Sequence, residues 1–201
     1  NATLLLISHQ PSGLLPTIRS RCRTLRLAPL SAEDMASAMD QAGVQVDAPA
    51  AAMAELSGGS VGAALNLTLL GGLQMYTELV AILGSLPQLD RARALKLAEA
   101  AATRGAEAKL DLLFALIDLL LTRLARTGAT GQPPTVEAVP GEAKLLSRLS
   151  PSPDQGRAWA IAAQEIGARA RHGRAVNLDP AALILDMIFK IEQTAHGVAA
   201  A

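Results

Sequence analysis

The stretch Leu14-Leu15-Pro16-Thr17-Ile18-Arg19-Ser20-Arg21-Cys22-Arg23 separates two kinds of sequence. Before it lies a continuous apolar run, Thr3-Leu4-Leu5-Leu6-Ile7. After it, from Pro29 onward, come the caps and periodicity of helices. Within it and just beyond, Arg19, Arg21, Arg23 and Arg26 fall within eight residues, and no acid appears before Glu33. Charge this local needs a partner, because the formal net charge of the whole chain is zero. The chain as a whole is therefore not a basic surface for nucleic acid, and any anion contact is confined to a small region.

Working outward, residues 2–8 are apolar throughout rather than alternating. That pattern predicts a strand covered on both faces, as in a parallel sheet. Leu25-Arg26-Leu27 alternates and predicts a second short strand, which Pro29 ends. His9-Gln10-Pro11-Ser12-Gly13 reads as a loop, with Ser12 positioned to cap a short helix before Pro16. A single strand cannot hold a sheet alone. The expectation is a fragment whose sheet partners lie upstream, with its first 28 residues oddly packed without them.

From Leu30 the signals are helical. Ser31 is placed to cap a helix running to about Gln41, with Asp34 three residues on. Asp47 and Pro49 begin a second helix that stops at Ser57-Gly58-Gly59. Ser60 caps a third, from Val61 to about Leu70, and Gly71-Gly72 reads as a hinge. Further helices are predicted over 73–85, 90–103, 106–127, 142–149, 154–172 and 180–195. Asp90, Asp154 and Asp179 stand at N-cap positions, and Pro180 at a first helical position. Gly128 to Gly141 reads as a mobile loop. The wide apolar face of 106–127 makes it the central helix of a bundle.

Composition narrows the function classes. Half of the 201 residues are apolar and only 2% are aromatic, so the core is aliphatic and suited to close helix packing. A lone cysteine, Cys22, excludes an internal disulfide and a cysteine-built zinc site within the chain. Its scarcity, the lack of a basic n-region followed by an apolar h-region, and the charges Asp111 and Asp118 inside the most apolar segment suggest a cytoplasmic protein. Cys22 reads as a small buried hydrophobe rather than a nucleophile, and His9 as a hydrogen-bonded structural residue. His172 and His196 suggest no metal site. Asp111 and Asp118 read as a solvated stripe. Arg19, Arg23 and Arg26 either face phosphates or pair with acids of the helical module; the second reading is the simpler. By itself Arg21 reads as a solvated loop residue.

The combination of a strand ending at Ser8, the Leu14-Leu15-Pro16-Thr17-Ile18 turn and then Ser20-Arg21-Cys22 resembles the clamp-loader branch of the AAA+ proteins. Within it the chain is more similar to the delta prime subunits of bacterial DNA polymerase III than to the ATPase gamma or tau subunits. The resemblance continues through Pro29-Leu30-Ser31 and Ser57-Gly58-Gly59-Ser60-Val61-Gly62-Ala63-Ala64-Leu65. It reaches Asn177-Leu178-Asp179-Pro180 more loosely. It implies a mainly α chain: a remnant of an α/β AAA+ domain (1–28), a three-helix lid (29–72) and a helical-bundle collar (73–201) that joins subunits.

The resemblance also assigns roles. Arg21 matches an arginine that reaches across a subunit boundary to ATP held by a neighbour, and Ser8 matches a sensor position at the end of a strand. Gly62 stands where ATP-binding relatives place a lid sensor arginine. No Gly-x-x-x-x-Gly-Lys-Ser/Thr phosphate loop is present. The implied protein has no catalysis or cofactor of its own. It gives an arginine in trans to ATP on an adjacent gamma or tau subunit. Its partners are those subunits, delta, the sliding clamp and primed DNA. Two other readings stay open: a gamma-type ATPase, against which Gly62 argues, and a helical oligomerisation module unrelated to replication.

Overall fold

The computed structural model describes residues 3–8, 10–45, 48–103 and 105–199. It is mainly helical, with 69% of residues in helices and no strand among the described residues. A 3-10 turn, Pro11–Gly13, is followed by α1 (Pro16–Arg19), α2 (Ala32–Gln41), α3 (Ala50–Ser57) and α4 (Val61–Leu70). Next come α5 (Gly72–Gly84), α6 (Arg91–Ala101), α7 (Glu107–Thr130), α8 (Glu142–Leu149), α9 (Pro153–Ala175) and α10 (Pro180–Ala199).

The helix starts follow local capping chemistry. Ser31 Oγ accepts the Asp34 N–H at 3.1 Å and donates to the Asp34 carboxylate at 2.8 Å, closing the first turn of α2. Ser60 accepts from Ala63 N–H, Asp90 from Arg93 N–H and Asp179 from Ala182 N–H, opening α4, α6 and α10. At α9 the expectation needs correction. Ser152 is the N-cap residue, Pro153 takes the first position and Asp154 lies inside the first turn, because proline has no N–H to leave unsatisfied. Asp47 lies outside the described residues; α3 begins after Pro49. The helix placed before Pro16 instead begins at it, as α1.

The two predicted strands are not formed. Residues 3–8 and 23–29 carry no regular secondary structure, and Leu4, Leu5, Ile7, Leu25 and Leu27 are each more than 80% exposed. A strand is held by a ladder to a neighbour, and no second strand is present among the described residues to supply one.

The core is built on α7, which touches α4, α5, α6, α8 and α9. Leu113, Leu116, Ile117, Leu120, Leu121 and Leu124 of this helix are all at most 2% exposed. One hydrophobic cluster runs from Met35 and Met53 through Leu67 and Tyr76 to Ile184 and Ile188. Burying each such side chain is worth about 1.5–3 kcal/mol, which is what holds a helix with no intrinsic need to be there. Arg148 of α8 closes the end of α5, donating to the carbonyls of Leu83, Gly84 and Leu86.

Two glycine-rich sites differ from expectation. Gly128 does not begin a loop; α7 continues to Thr130, and the loop spans only Gly131 to Gly141. Gly128 is buried where α7 meets α9, and a methyl group there would lie 2.6 Å from Gly156 Cα. The glycine is used for close helix approach, not for helix termination. Gly71-Gly72 is likewise a packed corner rather than a hinge. Gly71 takes the left-handed conformation at φ 72°, α4 and α5 bend by 76° across it, and Gly72 is buried against Leu67 and Leu112.

Candidate functional site

The Ser20-Arg21-Cys22 segment is set by the turn of α1. Pro16 fixes the first helical φ. The Ser20 N–H then donates to the Pro16 carbonyl at 3.0 Å, and its hydroxyl donates to the Thr17 carbonyl at 3.3 Å. The N–H groups of Arg21 and Cys22 both donate to the Ile18 carbonyl at 3.1 Å. The backbone is thus ordered by local bonds, while the side chains of Ser20, Arg21 and Cys22 are exposed.

Arg21 forms no ion pair or side-chain hydrogen bond among the described residues, and neither do Arg19, Arg23 or Arg26. The simpler reading of the last three, pairing with acids of the helical module, is therefore not what the structure shows. Residues 20–29 are exposed, so those acids are not brought against them. Cys22 is exposed too, not buried as its residue type suggested. Ser8 is half-buried and its hydroxyl accepts the Gln10 N–H at 3.2 Å. His9 lies outside the described residues.

Gly62 is the second residue of α4, within the first turn after the Ser60 cap. It is exposed, and a Cβ built on it meets nothing within 4 Å. No packing demand explains the glycine there. Gly59 differs: it sits at φ 72°, and a Cβ would come within 2.5 Å of the Leu30 nitrogen, whose N–H donates to the Gly59 carbonyl at 3.0 Å. That bond ties the start of the helical module to the turn before α4. No hydrogen bond or ion pair joins Ser8, Arg21 and Gly62 to one another among the described residues.

A second polar constellation lies inside the fold and is absent from the sequence reading. Glu142 at the start of α8 is fully buried. Its carboxylate accepts from Tyr76 Oη at 2.5 Å, from Arg123 Nη1 at 2.9 Å and from the Ala138 N–H at 2.7 Å. Arg123, only 6% exposed, turns its other terminal nitrogen to Glu55 of α3, meeting the carboxylate at 3.0 Å and the main-chain carbonyl at 3.3 Å. Burial first, and the neighbouring Glu142 charge second, push the Tyr76 phenol well above its usual value, so it stays protonated and donates. Each arm of the network is occupied, so it fastens α3 to α5, α7 and α8 and offers no open position for chemistry.

The signal for Arg123 was present in the sequence. It occupies the buried stripe Leu116, Leu120, Arg123, Thr127 of an otherwise apolar face. Its partners, 19 and 68 residues away, were not readable.

Asp111 is exposed and paired with Arg174 of α9, and Asp118 is exposed, so the two acids form a solvated stripe. Among the described residues no three His, Cys, Asp or Glu side chains converge as metal ligands. Among the same residues no single helix is long and apolar enough to cross a membrane. No family model, curated protein or solved structure matches this chain.

Proposed function

We propose that the chain is the C-terminal portion of a delta prime-like subunit of a bacterial clamp loader, acting in the cytoplasm as part of the DNA polymerase III assembly. In this reading it has no ATPase activity. It serves as a stator and supplies Arg21 in trans to ATP bound by an adjacent gamma or tau subunit. With delta, it helps place the sliding clamp on primed DNA.

The observation that carries the proposal is the state of Arg21. It is an exposed guanidinium on a backbone turn fixed by local hydrogen bonds, with no acidic partner among the described residues. A permanently charged planar fork presented this way suits the charge that develops on a transferring phosphoryl group. Supplied in trans, such a group is worth about 10³–10⁵ in rate at its site. Gly62 adds support: the place of a lid arginine holds a residue with no side chain, in open space. The helices of 29–72 and 73–201 accord with a lid and a collar.

The test is Arg21→Ala in a reconstituted loader, measuring DNA-stimulated ATP turnover and, by size exclusion, assembly. The proposal requires turnover to fall sharply while assembly stays intact, with Arg21→Lys recovering little because an ammonium lacks the fork. Unchanged turnover with normal assembly refutes it.

A further inference from the structure

We draw no further inference here: the strongest candidate, the exposed surface patch of residues 19–27 in which Arg19, Arg23 and Arg26 share one short segment with Leu25 and Leu27, is unpartnered, and nothing in the structure shows what covers it.

Discussion

Replacing Arg123 by methionine should destabilise the protein more than any change at its partner Glu55. Arg123→Met keeps an unbranched apolar stem and removes the guanidinium, leaving Glu142 fully buried with only Tyr76 and the Ala138 N–H as donors. Breaking a buried pair by deleting one member costs about 3–5 kcal/mol, because the remaining charge has no compensation. Glu55→Gln is different in kind. The Glu55 side chain is 39% exposed, so water screens it, and Arg123 retains the Glu55 main-chain carbonyl at 3.3 Å. That change should cost at most about 1 kcal/mol. Urea unfolding followed by Trp159 fluorescence separates the two. Trp159 is the sole tryptophan, fully buried, with its indole N–H on the Leu149 carbonyl at 2.9 Å. With a slope of about 2 kcal/mol per molar urea, Arg123→Met should lower the midpoint by about 1.5–2.5 M and Glu55→Gln by no more than about 0.5 M. The triple change Tyr76→Phe, Arg123→Met, Glu142→Leu removes both buried charges and the phenol donor together. It should recover most of the loss, with the Ala138 N–H the remaining orphan. A midpoint for Arg123→Met no lower than that of Glu55→Gln would refute the assignment of Arg123 as the centre of the network.

Two further outcomes are expected. The Tyr76 phenol is raised in the fold, so the stability it contributes is complete below the ordinary tyrosine pKa of about 10 and is lost as pH rises above it. Tyr76→Phe should therefore flatten the alkaline limb of a stability–pH curve while lowering stability at neutral pH; parallel curves would contradict the burial of an ionisable phenol. Alanine substitution of two helical glycines should give opposite signs in thermal unfolding. At Gly156 a methyl group would meet Ala125 O and Ala129 N at 2.8 Å, both main-chain atoms, and overpacking of about 1–3 kcal/mol should exceed the helix-propensity gain. At Gly62 the surroundings are open, and the gain of up to about 1 kcal/mol should appear unopposed; a lower melting temperature for Gly62→Ala would contradict it.

Much of the helical layout was legible because its causes are local. Ser31, Ser60, Asp90 and Asp179 cap helices with atoms three residues away, so the capping residue and the helix it opens sit in one short window. The apolar face of α7 was readable for the same reason, since its period lies within the helix itself. The candidate site was legible as a motif, Ser20-Arg21-Cys22, but not as a charge state. Whether an arginine is paired depends on acids that the fold does or does not bring to it, and here those of α2 to α4 stay away.

The sequence alone determined that the chain after Pro29 is helical, where most of its helices begin, and that α7 is central. The tertiary structure decided the rest. Residues 2–8 and 25–27 have strand-like composition, yet a strand is a pairwise object and the described residues contain no partner for it. Gly128 has the composition of a loop start, yet it lies inside a helix because α9 approaches closely enough to require the absent Cβ. Arg123 looks out of place on an apolar stripe until Glu142, Glu55 and Tyr76 arrive from three other helices. Caps and periodicity act within a turn or two of chain. Pairing, close approach and burial of charge are set by residues far apart in sequence, and those distances exist only once the helices have packed.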